Sequence, residues 1–226
     1  MREEVKIQLL KLKKEQILPY EIVEKWKKLE LILSNDELAE IVQWLIQDDV
    51  FWWLFLISHI LPQIVNHQLF LNIISTIADR TRGDLAQGPF INALISIGEN
   101  QPTIVEELYS TLMAEYPKLH NYVGLLLGGA ARKNESLRES ILTKITEKSG
   151  NECKSLIHAL RIAFDKSIHI DSRVFLILRK LTEKEEPIIK PELSLAYFTF
   201  YTYDKHESFN QLSKLSRSSD SVVRYN

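Results

Sequence analysis

Four short pairs recur along the chain at nearly even intervals: Ala93-Leu94, Gly124-Leu125, Ala159-Leu160 and Ala196-Tyr197, at steps of 31, 35 and 37 residues. Each couples a small residue to a large apolar one. Each sits in the more apolar of two helical patterns separated by a short polar break. A period in this range is that of a helix-pair repeat. One such pair cannot bury both its faces alone, so it must stack on the next, and each pair then touches only its neighbours. The small residues let the second helices of successive pairs approach closely. Turn formers mark the breaks: "RGD" at 82–84, Pro117, "SGN" at 149–151, Pro187 and Pro191.

Composition agrees with a helical reading. Only seven Gly and seven Pro interrupt 226 residues, too few for a turn-rich all-β fold. Apolar residues at 45% and charged residues at 26% exclude a disordered chain. The first 62 residues read as an N-terminal helical cap with divergent first helix pairs. Over 3–18, Val5, Leu9 and Leu12, with Ile7, Leu10 and Ile17, alternate with Lys in an amphipathic pattern that Pro19 ends. "SNDE" at 34–37 marks a capped helix start. "DDVFWWLFLISHILP" at 48–62 is apolar on all sides but too short for a bilayer, which needs about 20 apolar residues. It is expected to be a sandwiched helix, with Trp52 and Trp53 packed against two different neighbours.

From residue 63 to 226 the repeat units fall at about 67–102, 103–134, 135–170 and 171–206, with a partial unit at 207–226, in one continuous domain. In the last unit Asp220 is followed by Val223 and Arg224, and "ALISIG" at 93–98 ends in the Ala…Leu-Gly manner. This turn-to-helix junction resembles that of HEAT repeats. Armadillo-like and other α-solenoid relatives share the wider pattern. The resemblance implies an all-α, right-handed α-solenoid of stacked antiparallel helix pairs, with about 12–14 helices by the helical reading. It further implies that Asp220 and Arg224 support neighbouring repeats across the turn. The other units lack the Val-Arg pair. Because the chain stops inside its last unit, it is expected to be the front portion of a longer array.

Chemical signatures are sparse. None of the six His stands at metal-ligand spacing from another ligand type. "GLLLGGAA" lacks the Lys-Ser/Thr of a phosphate loop, and its Gly124-Gly128 spacing suits close helix packing. Cys153 has no neighbouring base or resolving thiol and is expected to be structural. A lone cysteine and an N-terminus without an apolar signal core point to the cytoplasm. Adjacent carboxylates at Asp48-Asp49, Glu106-Glu107 and Glu185-Glu186 point about 100° apart on a helix and do not make an acid/base pair. No cofactor, metal or catalytic residue is assigned.

The expectation is therefore a non-catalytic scaffold that binds another protein along the face of its second helices. Helical phase nominates Asn92, Ser96, Asn121, His158, Arg161 and Tyr201 as contacts. One alternative is a HEAT-like enzyme or nucleic-acid-binding protein, glycosylase-like or bilin-lyase-like. The aromatic run at 195–205 could stack bases, but residues 31–130 carry 11 Asp/Glu against 3 Lys/Arg, the wrong sign for a phosphate groove. The other alternative is a membrane-associated adaptor using the 48–62 segment without spanning. No oligomeric state follows from the sequence.

Overall fold

A computed structural model describes residues 1–15, 21–47, 53–64, 68, 70–72, 76, 87–115, 119–164 and 170–217. Among these residues every regular element is helical. The chain divides into two compact units, Met1–Ile97 and Gly98–Asn226.

The first unit begins with α1 (Glu3–Lys14), α2 (Glu21–Lys27), α3 (Asn35–Gln47) and α4 (Trp53–Ile60), the last continued by a 3-10 turn over Leu61–Gln63. In α1 the row Val5, Leu9 and Leu12 is buried, each one turn from the next. In the companion row Ile7 and Leu10 lie on the solvent side, 45% and 38% exposed. A helix with one neighbouring face has room for one apolar row, and Ile17 lies outside the described residues.

The start of α3 is fixed by a reciprocal cap. The Ser34 backbone N–H donates to Glu37 Oε2 at 2.9 Å, and the Glu37 N–H donates to Ser34 Oγ at 3.3 Å. Arg2 also binds Glu37, reaching Oε2 at 3.2 Å. Arg2 first, then the Ser34 donors, holds the Glu37 carboxyl down at about 2. Near the 48–62 segment, Leu56, Ile57, Ile60 and Leu61 are buried. Trp52 and the Trp53 side chain lie outside the described residues. No helix among the described residues is long and apolar enough to cross a membrane.

Helix α5 (Gln87–Asn100) carries the division between the units. The second unit continues with α6 (Pro102–Glu115), α7 (His120–Lys133), α8 (Glu135–Lys144) with a 3-10 turn at Ile145–Glu147, α9 (Gly150–Ala163), α10 (Ser172–Glu183), α11 (Lys190–Thr199) and α12 (Lys205–Ser216). Their contacts follow a regular order. α7 packs on α6 and most extensively on α9, and α9 packs in turn on α11. On the other side α8 contacts α10, and α10 contacts α12.

Two glycines explain the closeness of α7 and α9. A Cβ on Gly124 would meet the Ser155 carbonyl oxygen at 2.6 Å and His158 Cβ at 2.7 Å. One on Gly128 would meet Ile162 Cβ at 2.6 Å and the Ala159 carbonyl oxygen at 2.8 Å. Only hydrogen fits at either position. Every residue from Val123 to Ala131 is buried, so α7 is the enclosed helix of this unit. Its C-terminal carbonyls, which have no intrahelical donors, are met by Arg138 Nη1 at Ala131 O (2.7 Å) and Arg132 O (2.9 Å).

Candidate functional site

The packing among α7, α9 and α11 is largely apolar: Ile157, Ala159, Leu160, Leu193, Ala196 and Tyr197 are all buried. One polar cluster interrupts it. His158 and Arg161, a turn apart on α9, meet Glu192 from the first turn of α11. All three side chains are largely buried, at 16%, 22% and 12% exposure. Gly124 makes the room on one side, since the His158 ring base occupies the space its Cβ would take.

Donor chemistry fixes the protonation of this cluster. Arg161 Nη2 lies 2.9 Å from His158 Nε2. A guanidinium can only donate, so Nε2 accepts and the imidazole proton sits on Nδ1. That nitrogen faces Glu192 Oε2 at 4.0 Å, and Arg161 Nη2 lies at 4.0 Å from the same oxygen. Both distances exceed a hydrogen bond. Glu192 Oε2 and Arg161 Nε are buried without hydrogen-bond partners. Burial, with the Arg161 and Lys154 charges adding to it, pushes the His158 imidazolium down to about 3. Burial also raises the Glu192 carboxyl above its ordinary value, while Arg161 and Lys154 pull it back.

These facts limit what the cluster does chemically. A neutral imidazole whose lone pair is already held by Arg161 is neither a general base nor a metal ligand. Among the described residues no group of three or more His, Cys, Asp or Glu converges to hold a metal. Cys153 is fully buried, its Sγ–H directed at the Ile145 carbonyl at 3.7 Å, and burial first of all pushes the thiol up to about 11. It is a structural thiol by these criteria. The cluster instead ties α9 to α11 and presents one cationic group, Arg161, at the edge of an apolar face.

Of the residues nominated from helical phase, His158 and Arg161 are brought together. Tyr201 lies in the turn after α11 and is 38% exposed. Asn92 is exposed and Ser96 half-buried, both on α5 in the first unit. Asn121 belongs to α7, with its side chain outside the described residues, as are Asp220 and Arg224 entirely. Glu192 was missed. A signal for it existed: it stands one turn before Ala196, the small residue that marks the inter-helix face of α11.

Elsewhere in the same unit, α8, α10 and α12 are joined by ion pairs. Arg173 on α10 forms a bidentate pair with Glu139 on α8, at 2.9 and 2.7 Å. Arg179 on α10 reaches Glu207 on α12 at 2.9 Å. Both pairs are solvent-exposed at their arginines. Compared with protein-family models, with curated proteins and with solved structures, the chain has no match in any of the three.

Proposed function

We propose that this chain is a non-catalytic, HEAT-like α-solenoid scaffold that binds a protein partner along the face of its second helices. What supports the reading is the order of contacts in the second unit: α7 on α9 on α11, and α8 on α10 on α12. Two parallel rows of helices, each touching the next in line, are what stacked helix pairs produce. Such rows offer an extended surface without needing a pocket. Arg161 is the charged anchor of that surface, and arginine is favoured at protein interfaces for its planar, multi-donor head. Tyr201, 38% exposed in the turn after α11, is the aromatic contact in this reading. The single cysteine, structural and unreactive, fits a cytoplasmic protein.

The test is site-specific photo-crosslinking in cells producing the full chain. A benzoylphenylalanine at Arg161 or Tyr201 should capture one protein reproducibly. The same group at Lys180 or Ser172, on first helix α10, should not. Capture only from α10, or from neither helix, would sink the assignment.

A further inference from the structure

A groove opens on the opposite side of the second unit, between α6 and α8, with α9 at its end and Leu127 of α7 in its floor. Its volume is about 460 Å³, within the range of small-ligand sites.

The groove is lined by the apolar Leu127, Leu137, Ile141 and Leu156 together with polar side chains from α6, α8 and α9. Ser136, Ser140 and Lys144 follow each other at four-residue intervals, forming one row down α8. Glu106 and Ser110 form the facing row on α6. Several helical hydroxyls elsewhere in this unit bond back to their own helix: Thr182 to Leu178 O at 2.9 Å, Ser194 to Lys190 O at 3.1 Å and Thr199 to Leu195 O at 2.8 Å. Those of Ser110, Ser136 and Ser140 make no such bond.

The charges are equally uneven. Glu152 is compensated within the wall, accepting from Tyr109 Oη at 3.3 Å and pairing with Lys148 Nζ at 3.0 Å. Glu106 receives only a neutral donor among the described residues, Asn134 Nδ2, at 3.2 Å. Lys144 has no anionic partner among the described residues. One end of the groove is thus an unpaired carboxylate and the other an unpaired ammonium, with three free hydroxyls between them.

We propose that this groove binds a free peptide of about three residues, its α-ammonium at Glu106 and its α-carboxylate at Lys144. Length decides among zwitterions. Asn134, which holds Glu106, precedes Lys144 by ten residues, about 15 Å of helix at 1.5 Å per residue. Helical side chains lean back toward the N-terminus, which shortens the span between charges to about 10 Å. An extended chain covers that distance in about three residues. A single amino acid holds its charges too close together, and a simple anion leaves Glu106 facing it. Backbone amides supply both donors and acceptors for the serine row.

Trialanine is the probe, titrated into the ¹⁵N-labelled full chain and followed by amide shifts. Saturable shifts centred on Ser110, Ser136 and Ser140 are expected. N-acetyl-trialanine should bind about threefold to fivefold more weakly, the range for one exposed ion pair. That difference should vanish in Glu106→Gln. Trialanine amide should show the same weakening, erased in Lys144→Met. Both replaced residues are exposed, and circular dichroism checks that each variant folds. The proposal is overturned by equal binding of N-acetyl-trialanine amide, by shifts centred elsewhere, or by the absence of any saturable shift.

Discussion

His158 is a histidine whose two nitrogens have been given fixed roles, and stability should follow from that. Its folded-state pKa of about 3 lies below its ordinary value of 6.5. Between those values the unfolded chain binds a proton that the folded chain does not. Stability therefore rises with pH across this window; the contribution is complete above 6.5 and is lost as pH falls toward 3. Glu192, raised by burial, acts with the opposite sign above its own ordinary value of 4.5. Urea unfolding of the wild type should thus weaken on acidification from pH 6.5, by up to about 1.4 kcal/mol per pH unit from this one group. His158→Gln, which still accepts from Arg161, should flatten that slope. An unchanged slope would mean that His158 is not the group responsible. The cluster was half legible in the sequence. Helical phase put His158 and Arg161 on a common face, a spacing of three residues being nearly one turn. Glu192 comes from 34 residues beyond His158 and meets it only through the packing of α11 on α9, which local pattern does not encode.

Helix limits were the most readable feature. The polar break at 149–151 falls at the start of α9, with Ser149 as its N-cap. The pattern offered two apolar rows on α1 without choosing between them, since Val5 and Ile7 are equally apolar and only the neighbour selects the covered one. The glycine spacing at 124 and 128 was legible as close packing, and the contact geometry makes it quantitative. Gly128→Ala gains about 1 kcal/mol of intrinsic helix preference. Against that it forces a methyl to within 2.6 Å of Ile162 Cβ and 2.8 Å of a backbone oxygen that has little freedom to move. Overpacking of this kind costs about 1–3 kcal/mol, so the net effect should be destabilising. Thermal unfolding would decide it, and a raised midpoint would show that α7 and α9 can separate cheaply.

At the scale of the molecule, two compact units share one unbroken helix, α5. In the second unit α7 touches α9 and α9 touches α11, the helices that carry Gly124, Ala159 and Ala196. The groove beside α6 was not legible, because a serine on a helix looks the same whether it bonds to its own backbone or faces an opening. Enclosure of α7 on every side has a consequence in time rather than in space. Its amides cannot reach solvent by fraying of an edge or by release of a single neighbour. Exchange of the Val123–Ala131 protons with deuterium should require the second unit to open as a whole. Their protection should therefore equal the full unfolding free energy measured by denaturant, while α12, at the end of the row, exchanges through smaller openings. Equal rates for the two helices would contradict this. The slowest protons in this unit are thus a clock for its global opening.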